Sequence, residues 1–152
     1  MKKLGILIHQ LSGSQQFVSM CHNLNHICKN NREIDLFVFF NDIGKNAQIN
    51  EFAIMQSVEA LDYDGILIAT DNITAHLLDN CICATKKYFY IWNIDWHIQN
   101  RPVNNIQNIY LNPNTELIAR SKDHAKLISR VFREPKYIIE EFDHEEIIRN
   151  II

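Results

Sequence analysis

Four short polar clusters each stand directly behind an apolar run, and they contain the residue types that could do chemistry. His9 leads into Ser12, Gly13 and Ser14, and Thr70 leads into Asp71. Asn93 leads into Asp95, Trp96 and His97, and Ala119 leads into Arg120 and Ser121. Gly13 allows the backbone to approach a ligand closely, and the first N–H groups of a following helix are unpaired, so Ser12 and Gly13 mark a natural anion site. Asp71 is either a helix cap or an acceptor for a ligand hydroxyl. A carboxylate beside an indole, as in Asp95-Trp96, suits a sugar or a base. Asp95 and His97 have the types of an acid/base pair, and His97 equally has the setting of a solvated loop histidine. Arg120 offers forked donors for phosphate or for a surface ion pair, and Ser121 has the position of a helix cap.

The candidate substrate-binding residues are therefore Ser12, Gly13, Asp71, Asp95, Trp96, Arg120 and Ser121; no catalytic residue is assigned. The dinucleotide fingerprint needs three glycines where this loop has one, and there is no Walker A motif, so a plain strand-to-helix turn competes with the anion site. His22 and His26 are four apart, a spacing that can bind metal on a helix, but no H-E-x-x-H pattern accompanies them and no metal is expected. Cys81-x-Cys83 lacks the C-x-x-C spacing, and Cys21 and Cys28 fit one helix face, so all four cysteines read as free thiols.

These clusters need elements to position them. Continuous apolar runs predict buried strands at Leu4–His9, Ile34–Phe40, Phe52–Met55, Ile66–Ala69, Tyr88–Ile94, Leu117–Ala119 and Tyr137–Glu141. Between them, spacings of three and four predict helices over Gln15–Lys29, Gln56–Leu61, Asn72–Leu78 and Ser121–Phe132, with Ala125, Leu127, Ile128 and Val131 as core positions. Asn100–Asn108 is polar and carries Arg101-Pro102, which predicts a loop, and Ile109–Leu111 reads as an edge fragment. Phe142–Ile152 reads as a terminal helix whose isoleucines dock on the domain or on a partner. Strands alternating with helices imply an α/β domain of three layers, a mostly parallel sheet with helices on both faces. Ligands in such sheets bind beyond the carboxyl ends of the strands, which is where all four clusters fall.

The chain has 152 residues, 47% hydrophobic and 22% charged, with a net charge of −3. That suits one globular domain spanning 1–152 and argues against a domain held to nucleic acid by its charge. No run approaches the length of a membrane span or a signal-peptide core, so a cytoplasmic protein is expected. A flavodoxin-like or response-regulator-like domain would need flavin loops or an acidic pair after the first strand, and neither is present.

Three segments in order, Asp64–Asp71, Lys86–Trp96 and Leu117–Ala125, resemble the N-terminal Rossmann-like half of GT-B glycosyltransferases, especially the small glycosyltransferase-like proteins of tailed bacteriophages. The frequent Ile, Asn and Lys suit the AT-rich genome of such a source. The resemblance implies a glycosyltransferase-like protein that binds a nucleotide-sugar donor or an acceptor sugar through Ser12-Gly13, Asp71, Asp95-Trp96 and Arg120-Ser121. It implies no cofactor beyond that donor. In the family a second domain holds most of the donor, and this chain is expected to lack it. A homo-oligomer or a separate partner domain would then complete the cleft, or the domain would act without catalysis, binding a host or phage protein.

Overall fold

The computed structural model describes residues 1–44, 50–94, 96 and 103–152, with the side chains of 103–105 excepted. These residues form a seven-stranded sheet from β1 (Lys2–Leu11), β2 (Ile34–Ile43), β3 (Ala53–Gln56), β4 (Ile66–Ala69), β5 (Lys86–Ile91), β6 (Glu116–Ala119) and β7 (Tyr137–Ile138). The spatial order is β3-β2-β1-β4-β5-β6-β7, and every pair is parallel. The expected α/β, Rossmann-like three-layer architecture is therefore present, with a sheet that is parallel throughout.

Side-chain alternation along the strands divides the core into two layers. Leu4, Ile6 and Ile8 of β1 face one layer with Val38, Ile68, Tyr90 and Ile118. That layer is covered by α1 (Gln15–Asn30) through Phe17, Met20, Leu24 and Ile27, and by α5 (His144–Asn150) through Ile147. Leu7, Leu67, Phe89 and Leu117 face the other layer. It is covered by α2 (Asn72–Asn80), α3 (Val103–Tyr110) and α4 (Lys122–Val131) through Leu78, Ile109, Tyr110 and Ile128. Gly5 on β1 is closely packed: a Cβ there would come within 2.6 Å of Leu67 and 2.8 Å of Phe39. Only a residue without a side chain admits that approach.

The helices begin where the sequence supplies caps. Ser14 accepts a hydrogen bond from the Phe17 N–H, Asp71 from Thr74, Ser121 from His124 and Asp143 from Glu146. The terminal isoleucines dock on the domain itself, with Ile147 and Ile151 buried in the first layer and Ile148 and Ile152 packed against it. No helix among the described residues is long and apolar enough to cross a membrane.

Several expectations need correction. The segment expected to be a loop and an edge fragment contains α3, because Ile106, Ile109 and Tyr110 at spacings of three and four bury one helical face despite the asparagines around them. Arg133 holds its end, donating to the Tyr110 oxygen at 2.8 Å and, beyond the helix, to the Asn112 oxygen at 2.9 Å and the Thr115 oxygen. On α4 the buried side is Ile128 with Ala125, while Leu127 is 40% and Val131 54% exposed. The segment 56–61 is a 3-10 turn, Ser57–Asp62.

The last strand is also shorter than expected. β7 pairs only two residues, and the chain then makes a short 3-10 turn, Glu140–Phe142, before α5. Glu141 (φ 48°) and Phe142 (φ 59°) are left-handed, an unfavourable conformation for non-glycine residues. The buried Tyr90 hydroxyl holds this turn by donating to the Ile139 oxygen at 2.8 Å and accepting from the Phe142 N–H at 3.0 Å.

Candidate functional site

From β1 the chain passes through β2 and β3 on one side of the sheet, then returns to β4 on the other side of β1. The helices after β1 and β4 consequently lie on opposite faces, since α1 belongs to the first core layer and α2 to the second. Their starting loops diverge and leave a crevice above the carboxyl ends of β1 and β4, the ligand position expected for this topology. A cavity of about 120 Å³ is found there, lined by His9, Gln10, Ser14, Gln16, Thr70 and Asp71 above an apolar floor that includes Phe17 and Met20. Gln16, Thr70 and Asp71 also line a smaller neighbouring hollow that continues to Asn72, Trp92 and Asn93 at the end of β5. Wider concavities occur around Lys86, Glu116 and Lys136 and around α5, but they lie away from the strand exits where the topology opens.

Asp71 is the structural centre of the crevice. One carboxylate oxygen accepts from the Thr74 N–H at 2.8 Å, completing a capping box with the Thr74 hydroxyl. The other accepts from the His9 N–H at 3.3 Å, which ties the exit of β4 to that of β1. An ionised carboxylate has about four lone-pair sites, so acceptor capacity remains for a ligand after these two bonds. Thr70 is fixed beneath it, with its hydroxyl donating to the Leu7 oxygen at 2.9 Å. Around them, His9 Nδ1 lies 3.3 Å from the Asn41 amide, and the Gln10 amide donates to Asp42 at 3.3 Å.

The sequence-predicted residues divide into five groups. Asp71 lines the crevice. Ser12 and Gly13 fall outside the lining: the Ser12 hydroxyl donates to that of Ser14 at 3.1 Å, and the Ser14 oxygen caps α1. No described glycine has a positive φ, so Gly13 does not owe its place there to left-handed geometry. Arg120 and Ser121 follow β6, with the Arg120 guanidinium 5.9 Å from the centre of the Trp92 ring. Trp96 lies elsewhere, edge-on to Tyr110 at 5.2 Å and Phe132 at 5.1 Å, as part of the second core layer. Asp95 and His97 lie outside the described residues.

Sequence reasoning missed Gln16, Asn72 and Asn93 as crevice residues, although each stands within two positions of a strand or helix end. Trp92 alternates into the core as expected, yet its edge reaches the hollow. His124, in the first turn of α4 and outside the crevice lining, has a pKa lowered by burial and by the Arg120 charge, against a backbone hydrogen bond at Ile91 that raises it.

Among the described residues, the lining therefore combines one carboxylate with amides, a hydroxyl-bearing threonine and serine, an imidazole and an indole, and contains no lysine or arginine. Such a set forms hydrogen bonds to a neutral, hydroxyl-rich group and offers no counter-charge for a polyphosphate. No protein-family model, curated protein or solved structure matches this chain.

Proposed function

We propose that this is a glycosyltransferase-like protein that binds a sugar, as free acceptor or as the sugar moiety of a nucleotide-sugar, in the crevice between the exits of β1 and β4. The observation that carries the reading is the lining itself, in which Gln10, Gln16, Asn72 and Asn93 accompany Asp71 and no lysine or arginine stands among the described residues. Carboxylate and amide groups are suited to the alternating donor and acceptor demands of sugar hydroxyls. Arg120, over the ring of Trp92 that lines the hollow, is a candidate to meet a phosphate if the ligand is a nucleotide-sugar.

Calorimetric titration of the chain with monosaccharides, disaccharides and nucleotide-sugars tests the proposal. Saturable binding of at least one, weakened in Gln16→Ala and Asn93→Ala, is the expected result. Silence across all three ligand groups at millimolar concentration would refute it. A preference for nucleotide-sugars that disappears in Arg120→Ala would identify a donor, and unchanged affinity in that variant an acceptor.

A second reading, a protein-interaction domain or homo-oligomer, is favoured by the outer sheet edge. There Ile43, Ile54, Met55 and Val58 are exposed together on β2, β3 and the turn that follows. Native mass spectrometry distinguishes it: a monomer at every concentration, with no change on replacing Ile54 by Lys, would remove self-association through this edge.

A further inference from the structure

The parallel sheet has two rims. The crevice opens at the carboxyl ends of the strands, and a larger concavity of about 290 Å³ lies at the opposite rim, where β5, β6 and β7 begin with Lys86, Glu116 and Tyr137. Lys86, Lys87 and Lys136 line it together with Tyr88, Tyr137 and a single carboxylate, Glu116. Strand order brings these residues together: β6 pairs with β5 and β7 with β6, which sets Glu116 opposite Tyr88 and the Tyr137 ring 6.3 Å from that of Tyr88. Successive strand residues project to opposite faces, so Lys86 shares the side of Tyr88 and Lys87 turns to the other. There the Lys87 Nζ donates to the Asp79 oxygen in the last turn of α2 at 3.3 Å, which fixes its charge without neutralising it.

The charges in this concavity do not balance. The other lysine ion pairs among the described residues are one to one, Lys3 with Asp64, Lys29 with Glu51 and Lys126 with Asp123. Here three ammonium groups share one glutamate, in a chain whose net charge is −3. Lys136 takes that glutamate at 3.1 Å, and the hydrogen bond raises its pKa, so it stays protonated. Lys86 makes no ion pair among the described residues. Tyr88 and Tyr137 carry phenol hydroxyls, and burial raises the Tyr88 pKa, which keeps that hydroxyl a donor. The lining is thus rich in cations and donors, the reverse of the crevice.

We propose that this concavity is a second binding site, for an oxyanion of the phosphate class held by Lys86 and Lys136, with Lys87 adding its field. Lysine meets phosphate as a point charge, and surplus cations on a concave surface raise the local concentration of anions. Glu116 limits the affinity, because its carboxylate repels the ligand that the lysines attract. The space exceeds what one phosphate group fills, and the tyrosine rings offer a surface for the organic part of a phosphate ester.

The test is two-dimensional NMR of the full chain titrated at low ionic strength with inorganic phosphate, pyrophosphate and phenyl phosphate. Saturable shifts are expected at the backbone amides of Asn114, Glu116, Lys136 and Tyr137, weakening as sodium chloride is raised. Lys86→Gln and Lys136→Gln each weaken binding by about 2–5-fold, and Glu116→Gln strengthens it by a similar factor, the range set by one exposed charge pair. Lys126→Gln, at an exposed lysine of α4 outside the lining, leaves it unchanged. Tighter binding of phenyl phosphate than of inorganic phosphate identifies an ester as the ligand, and equal binding a free phosphate. No saturable shift at these amides with any of the three probes would overturn the proposal, as would equal losses in Lys126→Gln and Lys86→Gln.

Discussion

Replacing Tyr90 by Phe removes a single oxygen atom from the interior, and its effect can be worked from the structure. The hydroxyl donates to Ile139 and accepts from Phe142, and all three residues are completely buried. Neither backbone group can turn to water once the hydroxyl is gone. A hydrogen bond contributes about 0.5–1.5 kcal/mol net, and a buried group left without a partner costs about 1–3 kcal/mol. Two such groups, offset by no longer burying the phenol oxygen, give an expected loss of about 2–4 kcal/mol.

Urea unfolding followed by circular dichroism measures it, with the midpoint falling at unchanged denaturant slope. Hydrogen exchange should speed up in Ile139–Asn150, because the left-handed turn at Glu141 and Phe142 loses its restraint. The alkaline limb adds a signed check. Burial raises the Tyr90 pKa, so above about pH 10 the unfolded chain loses this proton while the folded chain keeps it, and stability falls as pH rises. Tyr90→Phe should show a shallower decline there, with the part due to the half-buried Tyr63, whose pKa burial also raises, remaining. A loss under about 0.5 kcal/mol, or an equal loss without faster exchange in α5, would refute the reasoning.

Asp71→Ala should cost about 0.5–2 kcal/mol in urea unfolding by removing the α2 cap, and Asp71→Asn, which keeps an acceptor, distinctly less. Burial pushes the Cys21 thiol up to about 12, leaving roughly one thiolate in 10,000 at pH 8. Mass spectrometry after brief iodoacetamide treatment should find the label on exposed Cys83, and Cys21 modified only after denaturation. His124 has a lowered folded-state pKa, so the unfolded chain takes up its proton first. Stability should fall as pH drops through about 6.5 and hold above it, and thermal melts of His124→Gln between pH 5.5 and 7.5 should show a weaker dependence.

The central strands were legible because parallel strands buried on both faces are written as unbroken apolar runs: Ile66–Ala69 was read with its observed bounds, and β1 and β6 within two residues at either end. Asp71 and Ser121 were legible as caps because capping depends on local chemistry. α3 was not. Its asparagines are weak helix formers, and what holds it is burial against α2 and β5 together with Arg133 from beyond α4, contacts that local sequence does not display. The site was half legible for the same reason. Strand exits are visible one at a time, but which exits become neighbours depends on strand order, and that order joins His9 to Asp71 while leaving Trp96 packed against Tyr110. The grouping of Lys86 with Lys136 likewise needs β6 laid beside β5 and β7 beside β6.

The place of β1 has a consequence for assembly. It precedes the other six described strands in the chain, yet it occupies an inner position, and one flank stays open until Ile66 arrives to pair with Leu4. During synthesis an apolar ribbon is therefore held with unsatisfied N–H and C=O groups along that flank, across the whole interval in which β2 and β3 are added on the other side. Contacts so distant along the chain form slowly and leave nascent material prone to stick to itself. Ribosome-bound chains stalled just short of β4 should accordingly recruit chaperones, and chains stalled beyond it should release them.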